Sequence, residues 1–125
     1  MAEQIDVVAI ASMPEEDREA TMGQLFHQLL PLDPAQQQDS LEHLIRAMGE
    51  HANDQQYLDL CATNLKLASM LPDADLARFL SVRLNAAAAL PPNLAERDMN
   101  LMQQALKQSD ASIQKKISLN MPASH

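Results

Sequence analysis

Tryptophan is absent from this 125-residue chain, and it holds only one tyrosine and two phenylalanines. Strands favour aromatic and β-branched side chains, so this scarcity argues against a sheet protein. Two glycines are too few for a chain of many β-turns, and a lone cysteine, Cys61, excludes an intramolecular disulfide. Gly23 and Gly49 stand isolated, so no glycine-rich loop can cradle a phosphate. No apolar run approaches the ~20 residues that span a bilayer. The start, "MAEQIDVVAIAS", lacks the basic residues and long apolar stretch of a secretory signal. A soluble, cytoplasmic protein with no membrane partner is expected. Basic residues are also few, nine against seventeen acids, for a net charge of −8. Binding to nucleic acid rests on neutralised phosphates, so neither nucleic acid nor a helix-turn-helix regulator fits this charge. The acidity serves solubility, or offers an acidic face to a basic protein partner.

What remains is rich in helix formers: nineteen leucines, nineteen alanines and eight methionines. The expected fold is all-α, one domain over residues 1–125, arranged as a compact irregular bundle of about five helices. Residues 1–11 and 108–125 are candidate mobile termini. "IDVVAIA" fits a short strand or a helical turn, and the all-α background favours the turn.

The first main helix should follow Ser12, with Glu15 in capping-box spacing, Pro14 in the first turn and Met22, Leu25, Phe26 and Leu29 as its apolar stripe. Asp33, Pro34 and Gln36 start the second, which carries Leu41, Leu44, Ile45 and Met48 and ends near Gly49. Asn53 and Gln56 open a third helix, to Leu71, that is apolar around most of its circumference. Such a helix must be enclosed by others, which makes it the central element; Asp59, Thr63, Asn64, Lys66 and Ser69 form its polar strip.

Asp73 caps the fourth helix in this reading, with Leu76, Ala77, Leu80, Leu84 and Ala87 facing inward. The stretch "NAAAALPPNLAERD" is then a tight corner: four alanines continue the helix, and Pro91 and Pro92 end it. Asn93 and Glu96 would cap the fifth helix, which holds Leu94, Leu101 and Ala105. The tail, with Ile113, Ile117 and Met121, either extends that helix or forms a short one of its own.

A 58-residue shift superposes Pro14 on Pro72 and Pro34 on Pro92, and pairs Phe26 with Leu84, Leu41 with Met99 and Leu44 with Met102. An alternative architecture follows, of two related helical hairpins around a central helix. Identities are poor, because only Pro14, Asp17, Leu32, Pro34 and Ala47 recur between 14–48 and 72–106.

Chemistry is thinly signposted. Glu42–His43 and Glu50–His51 are adjacent pairs, pointing about 100° apart on a helix, and neither a Glu-x-x-His nor an H-E-x-x-H spacing is present. His27, His43 and His51 could meet only through tertiary packing. Cys61 reads as a buried structural thiol, Glu42, Arg46 and Glu50 as a solvated charge ladder, and Arg78, Arg83 and Arg97 as dispersed surface arginines. Most methionines fill a core short of aromatics, but methionine also suits surfaces that bind varied apolar partners. Ile113, Ile117, Met121, Met99 and Met102 are the candidate partner-binding residues. No catalytic, cofactor or metal residue is assigned. The expected function is a non-enzymatic interaction protein (adaptor, small regulator or chaperone-like) that binds a protein partner or itself. The alternative is a metal-binding or catalytic helical bundle using His27, His43 and His51.

Overall fold

Prolines and caps divide the chain into seven helices in the computed structural model, which describes residues 6–122. They are α1 (Val7–Ala11), α2 (Glu15–Leu29), α3 (Pro34–His51), α4 (Asp54–Ser69), α5 (Asp73–Ala88), α6 (Pro92–Gln108) and α7 (Ala111–Asn120). Among the described residues no strand occurs, so the all-α class holds. The two helices beyond the expected five are the short terminal ones. Neither is long enough for periodicity alone to declare it. Both are packed: Val7, Ile10 and Ala11 of α1 are buried, and so is Ile117 of α7. Ile5 and the last three residues, His125 among them, lie outside the described residues.

Each helix packs against the one two places further along: α1 on α3, α2 on α4, α3 on α5, α4 on α6 and α5 on α7. α4 is the hub, touching α1, α2, α5, α6 and α7. Tyr57, Leu60, Cys61, Thr63, Leu65 and Ala68 are its buried residues. Thr63 therefore leaves the expected polar strip: Arg18 Nε donates to its hydroxyl at 2.8 Å. The Arg18 Nη1 also donates to the Met13 carbonyl, and Lys66 pairs with Glu19 at 2.9 Å, so α2 is pinned to α4 by polar contacts at two levels. That pair holds the Lys66 ammonium above its ordinary pKa. Phe26 and Phe79, both buried, meet with ring centroids 5.1 Å apart and planes tilted by 38°, joining α2 to α5.

The Asn53–Gln56 capping box forms in both directions, at 2.8 and 2.9 Å. Asp33 accepts from the Gln36 amide as expected, but no reciprocal bond closes that box. Three other expected caps are displaced. Pro14, Pro72 and Pro91 themselves take the N-cap positions of α2, α5 and α6, with φ near −55° and ψ near 150° and no side-chain cap bond. Ser12 instead closes α1, its hydroxyl donating to the Val8 carbonyl. The fixed ring of proline supplies the entry angle directly, which makes Asp73 and Asn93 first-turn residues rather than caps.

Gly49 is not a terminator either. α3 runs through it to His51, and a Cβ at Gly49 would sit 2.9 Å from Leu94 Cδ2 of α6. Glycine is there for close approach of two helices. The 58-residue shift does align the helix starts, Glu15 with Asp73 and Pro34 with Pro92. It does not align environments: Phe26 and Leu41 are buried whereas their counterparts Leu84 and Met99 are exposed. The inward stripes of α5 and α6 are rotated relative to those of α2 and α3.

Candidate functional site

The rotation has a cause. On α5 the buried positions are Leu76, Phe79, Leu80, Val82 and Ala86. Arg83 stands within this face, seven residues after Leu76 and three after Leu80. On α6 the buried stripe is Leu94, Asp98, Leu101 and Ala105. Each helix thus carries one charge on its apolar stripe, and the two charges have opposite signs. Across the Pro91–Pro92 corner they meet. Arg83 Nη1 donates to Asp98 Oδ2 and Nη2 to Oδ1, both at 2.8 Å, with the side chains only 14% and 4% exposed. Tyr57, the single tyrosine, donates from α4 to Asp98 Oδ1 at 2.6 Å. A two-pronged guanidinium–carboxylate pair and a phenol therefore join three helices at one buried point.

Burial pushes the Tyr57 phenol far above its ordinary pKa, and the neighbouring Asp98 charge adds to this. The nearby Cys61 thiol is pushed up to about 12, chiefly by burial, with Arg83 opposing and Asp98 reinforcing. Burial raises the Asp98 carboxyl, but hydrogen bonds and charge from Arg83, with the Tyr57 bond, outweigh it and hold the group below its usual value. Arg83 shows the complement: burial lowers it and Asp98 more than restores it. The chemistry available is holding rather than reacting. The carboxylate is already engaged by three donors, and the thiol stays protonated and shielded from solvent.

Arg97 completes the arrangement. Its guanidinium donates to the carbonyls of Gly49 and Ala52 at 2.9 and 2.8 Å and to Asp54 Oδ1 at 3.0 Å, closing the C-terminus of α3. The same group lies 5.1 Å from the centre of the Tyr57 ring. Arg83 and Arg97 are thus not the dispersed surface arginines the sequence suggests. The signal available was the stripe itself: a base among Leu76, Leu80 and Leu90, and an acid among Leu94, Leu101 and Ala105.

The histidines do not converge. His27, His43 and His51 are all exposed, and among the described residues no three His, Cys, Asp or Glu side chains gather as a metal site would require. The Glu42–Arg46–Glu50 ladder does not close either. Glu42 accepts from Gln38 Nε2 at 3.3 Å, and Glu50 lies 4.0 Å from His51.

Of the candidate partner-binding residues, Met99 is 61% exposed, Met121 is also exposed, and Met102 and Ile113 are half-buried. Ile117 is a correction. It is 0% exposed, seated in the core, because its helix folds back over α4 and α5. Sequence reasoning missed three exposed apolar side chains: Met70 at the end of α4, Leu84 on α5, and Leu119 on α7, which is 74% exposed. Leu84 is outside because Arg83 holds the inward position beside it. Leu119 lines a shallow groove with Asp73, Ser112, Lys115, Lys116 and Asn120.

No helix among the described residues is long and apolar enough to cross a membrane. Compared with protein-family models, curated proteins and solved structures, the chain finds no match. Over the described residues, fold and site define a class: seven helices, all-α, around a closed ionic core.

Proposed function

We propose that this is a non-enzymatic cytoplasmic interaction protein that binds a protein partner through apolar helical surface on α5 and α6. The observation that supports the reading is the exposure of Leu84 and Met99. Each directly follows a member of the Arg83–Asp98 pair, so the pair sets both at the same level of the α5–α6 corner. Met102, half-buried, lies one turn from Met99. Large apolar side chains held outward by a rigid core suit recognition of a complementary helix face, and methionine adapts to its shape. The net charge of −8 directs such a surface toward protein rather than nucleic acid.

Capture from lysate of the source organism tests the reading, with wild type compared against Leu84→Glu, Met99→Glu and the exposed polar control Gln103→Glu. A bound protein lost with the first two variants and kept by the control, at unchanged circular dichroism and Tm, is the expected result. Capture indifferent to both glutamates, or no capture at all, removes the proposal.

A further inference from the structure

Four helices enter through one backbone geometry at their N-caps. Pro14 has φ −55° and ψ 152°, Pro72 −56° and 151°, Pro91 −53° and 149°, and Asp110 −57° and 150°. Three of the four are prolines. The fourth, at the start of α7, is not, and its side chain makes no cap bond. The connector from α6 to α7 is only Ser109 and Asp110, and it contains neither proline nor glycine. All other corners in the described chain carry a proline or the Asn53–Gln56 box. No proline, glycine or capping box therefore fixes this turn. Beyond local hydrogen bonds, from the Ser109 hydroxyl to the Ala105 carbonyl, from the Ser109 amide to the Leu106 carbonyl and from Gln114 Nε2 to the Lys107 and Ser109 carbonyls, it is held by the seat that α7 occupies.

That seat is small and specific. Ile117 is the buried residue of α7, Lys116 donates to the Leu71 carbonyl at 2.7 Å, and Asn120 donates to Asp73. Residues 111–125 carry two of the nine basic residues and none of the seventeen acids. Two copies of so acidic a chain repel each other, but a reciprocal exchange of α7 leaves the charge of each folded unit unchanged and adds no acidic residue to the seat.

We propose that α7 exchanges between two copies of this chain. The connector straightens, α6 and α7 become one helix of about 43 Å, and each α7 takes the seat on α4 and α5 of the second copy. Every contact of Ile117 and Lys116 is kept in this arrangement, and only the connector changes. The proposal goes beyond the Leu84–Met99 reading and does not depend on it.

Sedimentation of the full chain over a wide concentration range, with two connector variants, is the test. Asp110→Pro suits the observed φ, and the extended Ser109 (ψ 162°) suits a following proline, but the ring forbids a continuous helix. It should be monomeric at every concentration with a Tm no lower than wild type. Ser109→Ala/Asp110→Ala favours the straight helix and should tighten dimerisation roughly tenfold. Zero-length coupling of Lys116 to Asp73 in mixed isotope-labelled chains should give mixed-label pairs in wild type and none in Asp110→Pro. A wild type and alanine variant that both stay monomeric overturn the proposal. So does a dimer that survives Asp110→Pro, or one with only same-label pairs. Partner capture lost with Met99→Glu but retained by Asp110→Pro keeps the two proposals separable.

Discussion

Arg83 and Asp98 face each other across the Pro91–Pro92 corner with two parallel hydrogen bonds of 2.8 Å, in a region almost closed to water. Taking both charges out of water costs much of what their attraction returns. Arg83→Met alone or Asp98→Leu alone leaves one buried charge unpaired and should cost about 3–5 kcal/mol. The double variant should recover most of that loss, keeping a deficit of about 1–3 kcal/mol from the Tyr57 hydroxyl left without its acceptor. Urea unfolding of the four proteins measures this. Additive losses in the double variant would mean that the pair is not acting as a unit.

Tyr57 offers a clean optical readout, since the chain has no other tyrosine and no tryptophan. Its phenol and the Cys61 thiol are both raised in the folded state. The unfolded chain releases these protons at ordinary values, 9.0 for the thiol and 10.0 for the phenol, while the folded chain keeps them. Stability therefore falls as pH rises above about 9, by up to about 1.4 kcal/mol per pH unit for each group. Phenolate absorbance should appear together with the loss of helical circular dichroism, in one step. A smooth titration near 10 with the helices intact would contradict the burial of Tyr57.

Asp98 works at the other end of the scale. Its folded value lies below the ordinary 3.8, so in that window the unfolded chain binds a proton that the folded chain refuses. Stability is full above about pH 4 and is lost as pH falls through the folded value. Asp98→Asn, though weaker throughout, should show a shallower acid slope in thermal melts between pH 4 and pH 2.

The two glycines should respond differently to alanine. Nothing lies within 4 Å of a Cβ built on Gly23, inside α2, so Gly23→Ala should stabilise by about 0.5–1 kcal/mol. At Gly49 the same methyl meets Leu94 Cδ2 at 2.9 Å, and the gain in helix propensity is spent moving a packed leucine. Thermal melts should show a higher Tm for the first variant and an unchanged or lower one for the second.

Arg97 uses the flat geometry of its guanidinium to reach two carbonyls and Asp54 while resting against Tyr57. A lysine carries the charge but not the fork. Arg97→Lys should recover less than half of the roughly 1–3 kcal/mol lost in Arg97→Ala. Full recovery would reduce the role of Arg97 to its charge.

Legibility in the sequence varied with the physics behind each feature. The Asn53–Gln56 box was readable because both partners lie within four residues, and the proline corners because the ring acts locally. The caps assigned to Asp73 and Asn93 were misplaced for the same reason, since proline overrides a nearby side chain. Spacing places Leu84 inside, because the charge beside it is ordinarily outside; only Asp98, fifteen residues after Arg83, makes that arginine an interior residue. The burial of Ile117 is not legible locally, because nothing in its neighbourhood shows that α7 folds back.

Composition and spacing alone determined that this chain is helical, where most of its corners fall, and that the helix apolar around most of its circumference is the hub. These follow from torsional preference and short-range bonding, which neighbouring residues settle among themselves. Tertiary structure decided which charges go inside, which apolar side chains stay out, and whether α7 turns back or runs on. Those outcomes depend on the desolvation of groups that meet only after the helices pack, and no local rule contains that energy.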